Sequence, residues 1–388
     1  MYDFDVTLDH RRNGSIKWQQ PGGHTGVIGM GTADMDFFCP PCVQEATRAI
    51  SGENTLNYRV RPDAYYDNTI AWFDRHYGLQ CRRAWILDVP GALAGIRLLV
   101  QCFARPGDCV LLQTPYFAPL RQAVEGAGCR VAENPLVLQN GRYELDLQDF
   151  ERKIQACRPS LFILCSPHNP TGRMFTRDEL KAMVEVCARH HVRIISDEVH
   201  CLISYDGREH TPILSVSEEA RRIAVQVFAL SKGYNVMGLT HAMLFIADER
   251  LRAAWEAFVR PFNFYYAANT YSVAVTAALM SGKADGWREE LTAYLQASRD
   301  MFMREAAARK FPIRVLKPEA SFLFWIDCRE SGIVPEQLSD AFLERAGISL
   351  NNGLRHGEAG RGFVRLNFAV PRAVLEEALD RMETMFSR

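Results

Sequence analysis

Short apolar runs of strand length alternate with longer amphipathic stretches through the middle of the chain. "DCVLLQ" (108–113), "SLFILC" (160–165), "VRIIS" (192–196) and "AVQVFAL" (224–230) are rich in aliphatic, β-branched and aromatic residues, and each predicts a buried strand. Between them, "TRDELKAMVEVCARHH" (176–191) repeats its apolar positions at helical spacing. It opens with Thr176 and Glu179 in capping-box register. This alternation predicts an α/β fold, with a large domain whose mainly parallel sheet is sandwiched by helices. From about residue 284 the pattern changes. A long helix over 285–309 precedes "FPIRVLKP", "SFLFWIDC" and "GFVRLNFAV", with helices between them, which predicts a smaller α+β domain. The expected organisation is a loop-rich N-terminal segment (1–45) packing with the small domain, a large domain (46–284) and a small C-terminal domain (285–388).

The polar residues that end these runs suggest where chemistry lies. Lys232 follows the 224–230 run at once, where an unpaired ammonium is costly to take out of water. Either its amine snorkels to solvent, or its pKa falls and it does chemistry. In open α/β sheets, ligands bind beyond the carboxyl ends of the strands. The 108–113 run leads there to Tyr116 in "TPYFAP", the 160–165 run to Asn169 in "SPHNPTG", and the 192–196 run to Asp197 in "SDEVH". Each has a plain structural alternative: packing for Tyr116, a turn for Asn-Pro-Thr-Gly, a cap for Asp197 and a satisfied core histidine for His200. Together, aromatic, amide, carboxylate and amine are the set that would hold a flat, protonated heteroaromatic ring carrying an aldehyde.

Composition narrows the partners. Net charge is -1, so no basic field argues for nucleic acid or an anionic membrane surface. The longest apolar runs are far too short to span a bilayer, and "MYDFDVTLDHRRNG" lacks the basic start and apolar stretch of a signal peptide. A cytoplasmic protein without membrane partners is expected. Eleven cysteines are scattered along the chain; the one close pair, Cys39-Pro-Pro-Cys42, has no second pair or nearby histidine to complete a zinc set. Buried thiols in a reducing compartment, and no metal, are the expectation.

"SPHNPTG", "SDEVH" and "SKGYNVMGL", in that order, resemble the signature of fold-type I pyridoxal 5'-phosphate enzymes of the aminotransferase class I/II superfamily. "YDFD" (2–5), "ADMDF" (33–37), "DEVH" with its histidine three after the aspartate, and "GFVRLNFAVPRAVLEEAL" resemble the cystathionine β-lyase branch of carbon–sulfur lyases, the MalY/PatB type. The resemblance covers nearly the whole chain and implies a homodimer. It implies that Lys232 is the Schiff-base lysine, Asp197 the partner of the pyridinium nitrogen and Tyr116 the ring-stacking residue, the three catalytic positions. Asn169 is implied as the ligand of the ring oxygen, with His200 nearby. Gly91, Ala92 and Leu93 of "PGALAGI" would offer backbone N–H groups to the phosphate at a helix start, beside Ser231. Tyr58 resembles the tyrosine that reaches the phosphate from the partner subunit. Arg365, with Asn169 and Ala33, is implied for the substrate, whose α-carboxylate the guanidinium would clamp.

Four positions depart from that pattern. Gly31 stands where the branch usually has tryptophan, Ala229 where a small hydroxyl residue is common, and Thr240 where classical aminotransferases carry a phosphate-binding arginine. The usual Gly-Tyr-Thr is Asn57-Tyr58-Arg59. Cofactor binding is expected to survive these changes, and Gly31 is expected to widen substrate choice toward bulky groups. The reading is a β-elimination on a cysteine S-conjugate such as cystathionine, giving thiol, pyruvate and ammonia. With no second anion clamp apparent, neutral or extended sulfur substituents are expected. An aminotransferase on the same scaffold, a biosynthetic lyase with a larger substrate and a non-catalytic regulator are the alternatives.

Overall fold

All four expected strands form, with ends shifted by one or two residues: Cys109–Thr114, Leu161–Cys165, Arg193–Asp197 and Ala224–Phe228. The structure is a computed structural model that describes residues 2–19, 24–263 and 268–387. The four strands lie in one seven-stranded sheet, in the order Ile86–Val89, Ala242–Ile246, Ala224–Phe228, Arg193–Asp197, Leu161–Cys165, Cys109–Thr114, Arg130–Pro135. Ala242–Ile246 runs antiparallel to both its neighbours, and the remaining pairings are parallel. Every residue of Cys109–Thr114, Leu161–Cys165 and Ala224–Phe228 is buried, because helices cover both faces; unbroken apolar runs are what such strands require.

On one face, Ile96, Leu99 and Val100 of the Ala92–Phe103 helix pack over Val110, Ile163, Ile195 and Val227. The other face carries Phe162, Ile194 and Phe228, under Phe150, Val184 and Phe73. Arg130–Pro135 has no apolar run to betray it, since it is an edge strand with alternating exposure and ends in a proline that an edge tolerates.

The expected helix over 176–191 is Arg177–Arg189. Its capping box is complete: Glu179 N–H donates to Thr176 Oγ1 (3.2 Å), and Thr176 N–H donates to Glu179 Oε2 (2.8 Å). The long helix is Asp285–Ala308, and beyond it Arg314–Leu316, Leu323–Asp327, Phe363–Asn367 and Asn351–Asn352 form a four-stranded antiparallel sheet. The N-terminal segment joins this part: Ile28–Gly29 pairs in parallel with Ile348–Ser349, and Asn367 N–H donates to Met30 O (2.8 Å). Among the described residues no helix is long and apolar enough to cross a membrane.

Thr176→Ala removes one half of the capping box and is expected to cost about 1 kcal/mol. Urea unfolding should show a lower midpoint, and hydrogen exchange should show lost protection confined to the first turn after residue 176.

Candidate active site

Beyond the carboxyl ends of the parallel strands lies a cavity of about 330 Å³, lined by Ala33, Gly91, Ala92, Leu93, Asn169, Asp197, His200, Ser231 and Lys232. The fold brings these together from five places in the chain. Asp197 is the last residue of its strand, and Asn169 follows four residues after Cys165. Lys232 is carried by a one-turn helix, Ser231–Tyr234, rather than by the strand itself, which ends at Phe228. Gly91, with φ at +97°, turns the chain from Ile86–Val89 into the Ala92–Phe103 helix; a residue with a Cβ would be strained there. Among the described residues no side chain caps that helix, so its first-turn N–H groups are available to an anion at the cavity.

The charged groups are displaced from their ordinary pKa values by burial. Desolvation lowers the Lys232 ammonium to about 8, helped by the Arg365 charge and opposed by Asp34 and Asp197. Lys232 Nζ donates to the Ala33 carbonyl. Burial raises the Asp197 carboxyl to about 6, against the Val199 N–H that it accepts (3.3 Å) and the Lys232 charge. His200 is pushed down to about 3 by burial and by the Lys232 and Arg365 charges, so its ring is neutral; Nδ1 lies 2.8 Å from Ser321 Oγ. Glu198 anchors the loop behind Asp197: it accepts from Ser196 Oγ and from the Ile213 N–H, and pairs with His210 (2.8 Å).

Tyr116 is not among the residues that line the cavity. The aromatic that faces the cavity is Phe117, whose extended backbone (φ -70°, ψ 111°) points it opposite to its neighbour. His356 holds the Tyr116 backbone on both sides, accepting its N–H at the His356 carbonyl (3.0 Å) and donating Nδ1–H to its carbonyl (2.9 Å). The Tyr116 ring lies against Gly357, where a Cβ would come within 3.0 Å of it, and its hydroxyl accepts from Arg121 Nη1 (2.7 Å). Alternation along "PYFAP" places the two neighbouring aromatics on opposite sides, and Phe117 is the one on the cavity side. Met237 and His241, five and nine residues after Lys232, also line the cavity without having been singled out.

Arg365 is buried beside the cavity. Its Nη1 donates to Asn169 Oδ1 (3.1 Å), its Nη2 to the Gly31 carbonyl (2.9 Å), and its Nε has no hydrogen-bond partner among the described residues. Burial lowers its pKa to about 10, assisted by the Arg355 charge. Gly31 is not on the cavity wall. A Cβ there would stand 3.3 Å from Asn351 Oδ1 and 3.5 Å from Leu350 Cα. Tyr58 is not among the residues that line the cavity and is 82% exposed, between the exposed Leu56 and Val60.

These features fit pyridoxal 5'-phosphate: a buried amine of low pKa for the aldehyde, a buried carboxylate for the ring nitrogen, an amide beside them and an uncapped helix start for the phosphate. Among the described residues no group of three His, Cys, Asp or Glu side chains is arranged to hold a metal ion.

The comparisons with known proteins agree with the geometry. The family model for aminotransferase class I and II matches residues 25–382. The cystathionine beta-lyase PatB of Bacillus subtilis is 32% identical over 99% of this chain and 100% of its own length. Protein MalY of Escherichia coli is 27% identical over 98% of this chain and 97% of its own. The PLP-bound C-S lyase of Staphylococcus hominis has a similar structure, with a TM-score of 0.92, 26% identity and coverage of 100% and 99%.

With the Lys232 pKa near 8, its neutral, nucleophilic form predominates above that pH. In cofactor-free protein, reductive methylation of Lys232 should be half-maximal about two pH units below that of exposed lysines. Peptide mass spectrometry across pH 6–11 reads this (a range on the order of the ammonium reference values). A Lys232 profile coinciding with the surface lysines would contradict the desolvation account.

Proposed function

The chain belongs to the aminotransferase class I and II family, and from that premise we propose that it is a pyridoxal 5'-phosphate-dependent carbon–sulfur β-lyase. The observation that carries the reading is one cavity shared by Lys232 and Asp197, in a chain that matches carbon–sulfur lyases along its whole length. Its net reaction converts a cysteine S-conjugate and water to a thiol, pyruvate and ammonia. When bound, the cofactor supplies an aldehyde that takes up the substrate amine and a ring that accepts electrons from Cα.

Each residue then has a task. Arg365, held by Asn169 and the Gly31 carbonyl, orients the α-carboxylate. Asp197 would keep a proton on the cofactor's ring nitrogen, and Asn169 would hold the ring oxygen, with neutral His200 in the same cavity. Phe117 takes the stacking role first given to Tyr116. The N–H groups of the Ala92–Phe103 helix start, with Ser231, would hold the phosphate. The Lys232 amine, mostly neutral above about pH 8, removes the Cα proton, and thiolate leaves from Cβ. Ala33, whose carbonyl accepts from Lys232, borders the substrate. In the same proposal residues 46–284 hold the cofactor, residues 285–388 form the smaller domain with 1–45 packed on it, and the enzyme works in the cytoplasm.

The same proposal makes the enzyme a homodimer, with Tyr58 as the shared residue. Leu56, Tyr58 and Val60 expose three large side chains at alternate positions of one segment, a face suited to a second copy that would receive Tyr58 at its phosphate.

Incubation with cystathionine or an S-alkyl cysteine should release pyruvate and a free thiol without any oxo acid. Strict dependence on 2-oxoglutarate, with glutamate accumulating, would instead make the protein an aminotransferase. Tyr58→Phe should weaken cofactor affinity by about 1 kcal/mol, the loss of one hydrogen bond, as read by equilibrium dialysis. A fully active monomer in analytical ultracentrifugation would contradict the role of Tyr58.

A further inference from the structure

His241 lines the cavity at the end where the uncapped helix start lies. It stands immediately before the Ala242–Ile246 strand, whose register pairs Ala242 with Val89 and so sets His241 across from Pro90. Gly91 and the helix follow at once, and the Thr240 carbonyl lies 3.8 Å from where a Cβ on Gly91 would stand. The His241 side chain is buried, and its two nitrogens meet groups from two other elements. Nε2 lies 2.9 Å from Asp88 Oδ1, and Nδ1 lies 3.3 Å from Thr276 Oγ1. The Tyr65 ring meets it edge-on, with centroids 6.5 Å apart, and the Tyr65 hydroxyl donates to the same Asp88 oxygen.

Asp88 is a buried carboxylate that gathers His241, Tyr65 and Arg61, the last in an ion pair with its other oxygen. Burial pushes the Asp88 pKa up, but the His241 hydrogen bond and charge, the Arg61 charge and the Tyr65 hydrogen bond hold it below its ordinary value, so it stays ionised. Burial moves Tyr65 far up, and it remains a neutral phenol. Arg61 already offsets the Asp88 charge. A proton on His241 therefore leaves this cluster with one positive charge in excess, and loss of that proton leaves it neutral. The other titratable side chains on the cavity wall are Lys232, which the aldehyde takes, Asp197, which serves the ring nitrogen, and His200, which burial keeps neutral. Among the described residues no arginine lines the cavity. A phosphate ester carries about two negative charges at neutral pH, and a helix start supplies only about half an elementary charge against them. His241 is the remaining wall residue able to supply more.

We propose that His241 is the counter-cation of the cofactor phosphate in this chain, taking up a proton from water as the phosphate enters, with Asp88 as the positioning residue that holds the ring. This rests on the pyridoxal 5'-phosphate reading of the cavity. An ionised carboxylate on one side and a phosphate on the other both favour imidazolium over neutral imidazole. By linkage, affinity for the phosphate is greatest where the ring is charged and falls as rising pH removes the proton.

The test titrates the full chain, resolved of cofactor, with pyridoxal 5'-phosphate and with pyridoxal, which lacks the phosphate. Kd is read from the absorption of each between roughly pH 7 and 9, where the phosphate keeps its charge. Titration of Lys232 and Asp197 acts on both compounds alike, so the ratio of the two Kd values isolates the phosphate. In the unaltered protein the ratio should favour the phosphate ester, and that preference should shrink about tenfold across the range. His241→Gln should lower the preference about tenfold at the acid end and remove its pH dependence. His241→Lys, a cation throughout the range, should keep the preference and flatten its profile. Asp88→Asn should move the decline to lower pH. A ratio independent of pH in the unaltered protein, or an unchanged profile in His241→Gln, overturns the proposal and leaves the cofactor reading standing. The first of these is read on the unaltered protein and needs no variant to fold. If pyridoxal 5'-phosphate itself does not bind, the cofactor reading falls and the proposal with it.

Discussion

A buried guanidinium ties the parts of this protein together. Arg365 comes from the C-terminal antiparallel sheet, takes the side chain of Asn169 from the parallel sheet's rim, and takes the Gly31 carbonyl from the N-terminal segment. Both acceptors are neutral. Desolvating the charge costs on the order of several kcal/mol, which neutral acceptors offset only in part. The residual demand for an anion makes the position suited to a substrate carboxylate, and the same hydrogen bonds set the three segments in register around the cavity.

The surrounding electrostatics keep that demand undiluted. His168, His200 and His356 are each held near pKa 3, chiefly by burial, so none adds a charge at neutral pH. The groups poised at the cavity are Lys232, Asp197 and Arg365, with the Asp34 charge acting on Lys232. Burial moves Lys232 down and Asp197 up, to about 8 and about 6. An amine and a carboxylate displaced toward neutrality in one cavity suit proton transfer at ordinary pH better than a tight ion pair would.

Phe117 and Tyr116 illustrate how narrow the margin is between neighbours. In an extended segment a shift of one residue exchanges inside for outside. The decision was made by His356, which clips the Tyr116 backbone through two hydrogen bonds, and by Gly357, which leaves room for the displaced ring. Both lie about 240 residues further along the chain, and the Tyr116–His356 separation is itself 240. Local sequence carries no trace of that contact.

The buried strands were legible because a strand covered on both faces must be apolar throughout, and a capped helix must show its Thr and Glu three residues apart. Lys232, Asp197 and Asn169 were legible because strand ends point ligands to one rim, whatever else the chain does. The edge strand Arg130–Pro135, the inward face of "PYFAP" and the contact of His241 with Asp88 were not. Local pattern reports on burial and turn chemistry within a few residues, which the sequence by itself determined. Which side chains meet across long separations depends on packing and on the desolvation of charges that only the assembled fold brings together, and tertiary structure alone decided it.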